Sequence, residues 1–429
     1  MNTKFIFNII LWVMIIANAA FMCSCTMRYV LYGTEASRYS GAVQNDSTFV
    51  YFDRQGDMYP SVDSRVVVHD DRLNYHGASL QHYFQFLTKP IWSADQQAQV
   101  TSLSRYYGVN LDLPAKETEV KASWLQLQDS VQTKFIRNFN RQLKASKTDV
   151  LVVLIHGYNN NVGETRWFAP LKRQILANYF IGERVHFLHI YWDGRSGTFV
   201  LPMWTWAQGS LYPVGLGVRQ ILTRLDPKMP VYALGHSTGA PVLCAALWNC
   251  TSALNKGRDY QVHLGERYLD MLKQPRYITP TLPKLRVAFV APAMPALHFN
   301  DFDNRTTIAG QQSLTPPPLT PQRFVIGHNR HDKVTGKGPF PTRLYGSTRL
   351  GTKRSEYCGH GNTTPYGVLT LLRSTGSSAE TFLYDFTKGI PWFGLGHGVV
   401  SFMNDERTFS QFLDAWLTNK PVRGNTTCP

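Results

Sequence analysis

The sequence predicts an α/β chain, a doubly wound and mainly parallel sheet flanked by helices, on three observations. The run at 149–155, continuous in apolar residues from Val150 on, reads as a strand buried on both faces, and further strands read at 185–191 and 285–291. Helical stretches alternate with them along most of the chain. Several runs end in turns rich in Gly, His and Asn, at the strand ends where such a sheet gathers its reactive groups.

The first element is not fold. Met1-Asn2-Thr3-Lys4 precedes an apolar run from Phe5 to Met22, the charged start and apolar stretch of an export signal. Asn8 and Asn18 interrupt the run and Ala17, Ala19 and Ala20 close it, which favours cleavage over a permanent span, with a retained anchor as the alternative. Met22-Cys23-Ser24-Cys25 resembles a bacterial lipobox, whose cysteine would be lipidated after cleavage and lead the mature chain. Cleavage at Ala17-Asn18-Ala19 is the other route. Residues 1–24 are read as a signal peptide or lipoprotein signal. The expected location is outside the cytoplasm, in the periplasm or cell envelope, with membrane anchoring through lipidated Cys25 or the apolar segment.

Residues 25–120 read as an N-terminal extension, with one strand-like run, Arg65–His69, and helices near Ala78–Leu87 and Ala94–Tyr107. From 121 to 429 the pattern sharpens into one domain. Trp124, Leu125, Val131, Phe135, Phe139 and Leu143 recur at helical spacing and predict an amphipathic helix from Ala122 to Lys147. Asp149–Ile155 is the first buried strand and ends in His156-Gly157-Tyr158-Asn159-Asn160. A helix over Thr165–Tyr179, a strand Val185–Tyr191, an apolar stretch Phe199–Gly217 and a helix Val218–Leu225 lead to a strand at Val231. Strands follow at Leu285–Ala291, Arg323–Gly327 and Thr381–Phe386, and a helix over Asp405–Leu417 closes the domain. Thr315–Pro321 is a proline-rich loop.

With 43% hydrophobic residues the 429-residue chain can build a large core. Its net charge of +15 comes from scattered basic residues, not a tract, which argues against nucleic acid and leans weakly towards anionic surfaces. Cys244, Cys250, Cys358 and Cys428 remain in the body, an even set that an oxidising compartment can pair in three ways. Their spacing fits no zinc pattern, and Cys244 reads as a small core residue. Sequons begin at Asn45, Asn249, Asn304, Asn362 and Asn425 and matter only in a eukaryotic secretory pathway.

The strand at Val231 runs into Gly235-His236-Ser237-Thr238-Gly239, a G-x-S-x-G elbow. A strand-to-helix turn this tight strains the serine at its apex and tolerates only glycine two positions to either side. It also aims the next helix's N–H groups at developing negative charge. With His156–Asn159 after the first core strand, and Asp332 followed by Arg349-Leu350-Gly351, the chain resembles the α/β-hydrolase superfamily. The closer likeness is to an uncharacterised family with an H-G-Y-N motif and a G-H-S-x-G elbow. The likeness spans roughly Ala122 to Leu417 and is poor over 199–217 and 255–320. Where that family often reads A-P-D, this chain reads Ala291-Pro292-Ala293.

The resemblance implies an α/β-hydrolase fold and a chain order of serine, acid, histidine, with the acid two strands after the elbow strand and the histidine after the last. Ser237, Asp332 and His397 fit. Ser237 would be the nucleophile, His397 its base and then the acid to the leaving group, and Asp332 the group that fixes the imidazole tautomer. Backbone N–H groups of Tyr158 and Thr238 would hold the oxyanion, with Gly157, Gly235 and Gly239 allowing close approach and His156 supporting the loop. Asp303 and Asp385 rival Asp332, and His328, His331 and His360 rival His397. His236 reads as packing, Asn159 and Asn160 as loop support or turn residues, and Asp193 as a turn residue. Phe199–Gly217 is either a lid or acyl-binding wall, or core.

The expectation is an exported serine hydrolase without metal or cofactor, a carboxylic ester hydrolase of esterase or lipase type that forms an acyl-enzyme on an acyl ester or lipid substrate. The alternatives are an acyltransferase on the same scaffold and a non-catalytic envelope binding protein.

Overall fold

In a computed structural model of the chain the residues described are 28–29, 37–38, 40–66, 68–69, 80, 93–111, 117–158, 167–192, 195–196, 200–254, 259–277, 285–302, 321–336, 348–359, 367–374, 379–391, 396–420 and 428. The export signal, Cys25 and the helix expected near Ala78–Leu87 lie outside them, apart from Leu80. Among the described residues no helix is long and apolar enough to cross a membrane.

The chain is α/β, built on an eight-stranded, mostly parallel sheet. Its strands are β1 (Ala42–Gln44), β2 (Ser47–Phe52), β3 (Val150–Ile155), β4 (Val185–Trp192), β5 (Val231–His236), β6 (Leu285–Val290), β7 (Pro321–His328) and β8 (Glu380–Asp385). Their order across the sheet is β1-β2-β4-β3-β5-β6-β7-β8. Only the β1–β2 hairpin is antiparallel. Because β3 sits between β4 and β5, the winding direction reverses between β3 and β5, which opens a crevice at their carboxyl ends.

The six later strands match the sequence reading to within two residues at either end. β1 and β2 correct it. They fall within residues 25–120, where no main-sheet strand was expected, and β2 pairs in parallel with β4 from Ser47–Phe187 to Phe52–Trp192. The run expected over Arg65–His69 forms a strand only at Val68–His69, paired with Ser37–Arg38 outside the main sheet.

The helices of eight residues or more are α1 (Ala94–Tyr107), α2 (Glu117–Ala145), α3 (Phe168–Asn178), α4 (Val200–Leu222), α5 (Gly239–Leu247), α6 (Asp259–Leu272) and α7 (Glu406–Leu417). Alternation along β3 sorts the two layers. Leu151, Val153 and Ile155 pack with α2, α4, α5 and α6, while Val150, Val152 and Leu154 pack with α3 and α7. In α2, Trp124, Val131, Phe135, Phe139 and Leu143 form the buried stripe with Leu127, and Leu125 is half-buried.

Two elements read separately, Phe199–Gly217 and Val218–Leu225, are one helix, α4, with Pro213 inside it. From Ala207 onwards its apolar residues, among them Leu211, Tyr212, Val214, Leu216 and Ile221, are core, which decides between lid and packing for that part of the stretch. The side chains of 201–206 lie outside the described residues. α4 also carries Arg219, a fully buried guanidinium that donates to the carbonyls of Ala245, Ala246 and Tyr277 and to the Asn249 side chain. A cation on the last carbonyls of α5 complements that helix's dipole and fixes its far end. Asn249, the head of one sequon, is thereby buried.

Cys358 and Cys428 form a disulfide, while Cys244 and Cys250 are free and buried.

Candidate active site

The elbow forms where β5 ends. Ser237 has φ +53°, the left-handed backbone that a non-glycine residue adopts at local cost, and the surroundings enforce it. Its N–H donates to Val290 O at the end of β6, and its own carbonyl accepts from Ala240 and Ala293. The flanking glycines are steric requirements. A Cβ on Gly235 would lie 2.6 Å from Gly239 O, and one on Gly239 would lie 2.5 Å from Ile155 O. Gly157 approaches Ser237 itself, since a Cβ there would stand 2.7 Å from Ser237 Cβ and 3.2 Å from its Oγ. These glycines let the end of β3 and the elbow share one crevice.

Ser237, His397 and Asp332 meet there. His397 Nε2 lies 2.8 Å from Ser237 Oγ, and His397 Nδ1 lies 2.7 Å from Asp332 Oδ2. Asp332 is buried and accepts three further bonds: Oδ1 from the N–H groups of Val334 and Thr335, and Oδ2 from the Thr335 hydroxyl. Four donors around two oxygens suit an acceptor-only carboxylate, so Nδ1 carries the imidazole proton and Nε2 presents its lone pair to the serine hydroxyl. Asp332 also acts as N-cap of the short turn Lys333–Gly336, which pins the carboxylate. Thr348 extends the support by donating to Thr335 O.

The rivals stand elsewhere. His328 is buried, with Nε2 3.7 Å from Asp385 Oδ2, and His331 is exposed. His360, Asp303, Asp193, Asn159 and Asn160 lie outside the described residues.

Two braces were not legible as such. Asn329 donates through Nδ2 to Gly396 O, beside His397, and a Cβ on Gly396 (φ +59°) would strike that nitrogen at 2.8 Å. His236, read as packing, has Nε2 3.0 Å from His397 O, so the ring donates to the backbone that carries His397. Burial holds the His236 imidazole to a pKa of about 3, and it stays neutral. Thr335 was missed as well, and the signal that could have found it is the Asp-x-x-Thr cap pattern of Asp332–Thr335. Nothing local pointed to Asn329 or His236, because their partners lie more than sixty residues away.

His156 supports the loop through both ring nitrogens: Nε2 accepts from Trp192 N–H at 3.1 Å and Nδ1 donates to Gly157 O. The Trp192 indole donates back to His156 O at 3.0 Å, and the two rings stack. Burial lowers the His156 pKa to about 3.

The two expected oxyanion donors are adjacent, with one difference from expectation. The Tyr158 N–H donates to Thr238 Oγ1 at 2.6 Å, so the threonine hydroxyl occupies the place facing that amide. A cavity of about 190 Å³ lies between the β1–β2 edge and α2, walled by Val43, Phe135, Phe139, Tyr106 and Tyr107, and shares no residue with this cluster.

Comparison with protein-family models, with curated proteins and with solved structures finds no match.

Proposed function

We propose that this chain is an exported serine hydrolase of the α/β-hydrolase type, a carboxylic ester hydrolase that works through an acyl-enzyme. One observation carries the reading: a serine held at positive φ on a strand-to-helix turn, 2.8 Å from an imidazole whose other nitrogen bonds a buried carboxylate. The chain order supports the superfamily resemblance, with the acid after β7, the second strand beyond the elbow strand, and the base after β8.

Ser237 Oγ attacks the ester carbonyl as its proton passes to His397 Nε2. The imidazolium is held by Asp332 and returns the proton to the leaving alkoxide. Water then repeats the sequence on the acyl-enzyme. Each proton moves between named protein atoms and substrate. The disulfide and the apolar leader support a site of action outside the cytoplasm, and anchoring through a lipidated Cys25 belongs to the same proposal. Because α4 is core from Ala207 onwards, its apolar character gives no support for a deep acyl pocket.

A fluorophosphonate probe tests the reading. Labelling of the purified mature chain, lost in Ser237→Ala, is expected. Labelling that persists in Ser237→Ala, or no labelling and no turnover across a p-nitrophenyl ester chain-length series, defeats it. The optimum of that series reports the acyl length accepted.

A further inference from the structure

We infer that the side-chain hydroxyl of Thr238 is itself an oxyanion donor, and that the Tyr158 amide serves the reaction through it. The inference rests on the serine-hydrolase reading and goes one step further, to the atoms that stabilise the charged intermediate.

The carbonyl oxygen of an ester attacked by Ser237 becomes an anion that needs donors at about 2.7–3.1 Å. A donation from the Tyr158 N–H would place that oxygen within hydrogen-bond reach of the amide nitrogen. That place is taken, because Thr238 Oγ1 sits 2.6 Å from Tyr158 N. Either the threonine side chain swings away when substrate arrives, or it stays and donates its own proton. Three features favour staying. Thr238 is fully buried and begins α5 at φ −71°, ψ −11°, where a β-branched side chain has few χ1 states. Rotation would leave both the Tyr158 amide and the displaced hydroxyl to find new partners in a closed site, and each that fails is a buried polar group left unsatisfied. Lastly, the hydroxyl has a proton to offer, since among the described residues it accepts from Tyr158 and no acceptor takes its hydrogen.

The arrangement is a short relay of hydrogen bonds without proton transfer. Tyr158 N–H donates to Thr238 Oγ1, which polarises the hydroxyl, and Oγ1–H donates to the developing oxyanion beside the Thr238 backbone N–H at the start of α5. Gly157 holds the Tyr158 amide in place, because any side chain there strikes Ser237. One residue then supplies two donors, which explains why a hydroxyl-bearing residue directly after the nucleophile is buried against the loop following β3.

The test is steady-state turnover of the mature chain on its best p-nitrophenyl ester, with Thr238→Ala, Thr238→Val and Thr238→Ser. Thr238→Ala and Thr238→Val should each lose about 10²–10³ in kcat with KM shifted only a few-fold. Thr238→Ser should recover most of that loss. Affinity for a boronic-acid or trifluoromethyl-ketone analogue should fall in parallel with kcat, which a merely structural role would not produce. Either apolar variant, if folded by circular dichroism, decides the matter. A folded Thr238→Ala or Thr238→Val with wild-type kcat overturns the inference, since the hydroxyl would then only occlude the Tyr158 amide. Fluorophosphonate labelling of the wild-type chain separates the cases: labelled and active wild type with an unimpaired variant refutes the hydroxyl donor alone, whereas an unlabelled, inactive wild type refutes the hydrolase reading beneath it.

Discussion

Lowering the pH from 7 to 5 should remove much of the stability of this fold. His156, His189 and His236 are held to pKa values of about 3, and His298 and His328 to about 4, in each case because burial disfavours the imidazolium. An imidazole in the unfolded chain takes its proton near 6.5. Between that value and the folded one the unfolded state binds more protons, so this stability is complete above about pH 6.5 and is lost as the pH falls. At pH 5 the loss is on the order of 2 kcal/mol per imidazole, or about 10 kcal/mol for the five. Asp53 acts in the opposite sense. Burial, then the Asp57 carboxylate, raises its pKa to about 7, so it is protonated in the fold where an unfolded carboxyl is ionised. Relief of that penalty between pH 7 and 5 returns on the order of 2 kcal/mol. The net loss of about 8 kcal/mol from these six groups stands against a total of about 5–15 kcal/mol for an ordinary folded chain. Urea unfolding followed by tryptophan fluorescence at pH 7, 6 and 5 measures it. The midpoint should fall at each step, with about four protons taken up on unfolding near pH 5. An unchanged midpoint would show that these imidazoles are not neutral buried groups, and the account of His156 and His236 as braces would go with them.

Asp332→Asn should lower kcat on the best ester by about 10⁴, because an amide can hold the imidazole in the wrong tautomer. Gly157→Ala puts a methyl 2.7 Å from Ser237 Cβ and should cost at least about 10² in kcat, read beside an unfolding midpoint that moves far less. His236→Phe fills the space but cannot donate to His397 O. A loss of about 10–10² in kcat with little change in KM is expected, and a variant as active as wild type would leave His236 as packing. Cys358→Ser opens a loop closed over a separation of 70 residues and should destabilise by about 4 kcal/mol in the chain-entropy account, seen as a lower urea midpoint that reductant no longer shifts.

What the sequence made legible follows from how each element is buried. β3, β4, β5 and β6 are covered on both faces, so their apolar runs stand out against any background. β2 was missed because it opens on the polar Ser47 and Thr48: Thr48 is buried but satisfied by His186 and Gln142, a pairing invisible without the fold. α4 was read in two pieces because Pro213 and the glycines around it look like a break. In the fold, Gly56 (φ +81°) brings its backbone against Pro213 O so closely that a Cβ would lie 2.2 Å away, and the helix runs on through the proline. Ser237, Asp332 and His397 were legible because each follows a strand in the sequence, with a motif or a glycine beside it. Their braces were not, since Asn329 and His236 act on the backbone next to His397 across the sheet edge.

The braces also explain why neutral imidazoles, and not longer or charged groups, line this crevice. His156 must accept from Trp192 N–H at the end of β4 and donate to Gly157 O at the end of β3, and only a neutral imidazole offers a donor and an acceptor on opposite sides of one rigid ring. Protonation would turn Nε2 into a second donor facing an amide donor, which breaks the link that sets Gly157 against Ser237. His236 needs one donor towards His397 O, and a charge there would stand next to the base, 5.0 Å from ring to ring. In the proposed mechanism, a cation at that distance would disfavour the imidazolium formed when His397 takes the serine proton. Burial that keeps both rings neutral down to about pH 3 therefore serves positioning and electrostatics together, and the same burial makes the fold acid-labile. Acid lability and a correctly placed base are two readings of one arrangement, so a substitution such as His236→Phe that relieves the first should weaken the second.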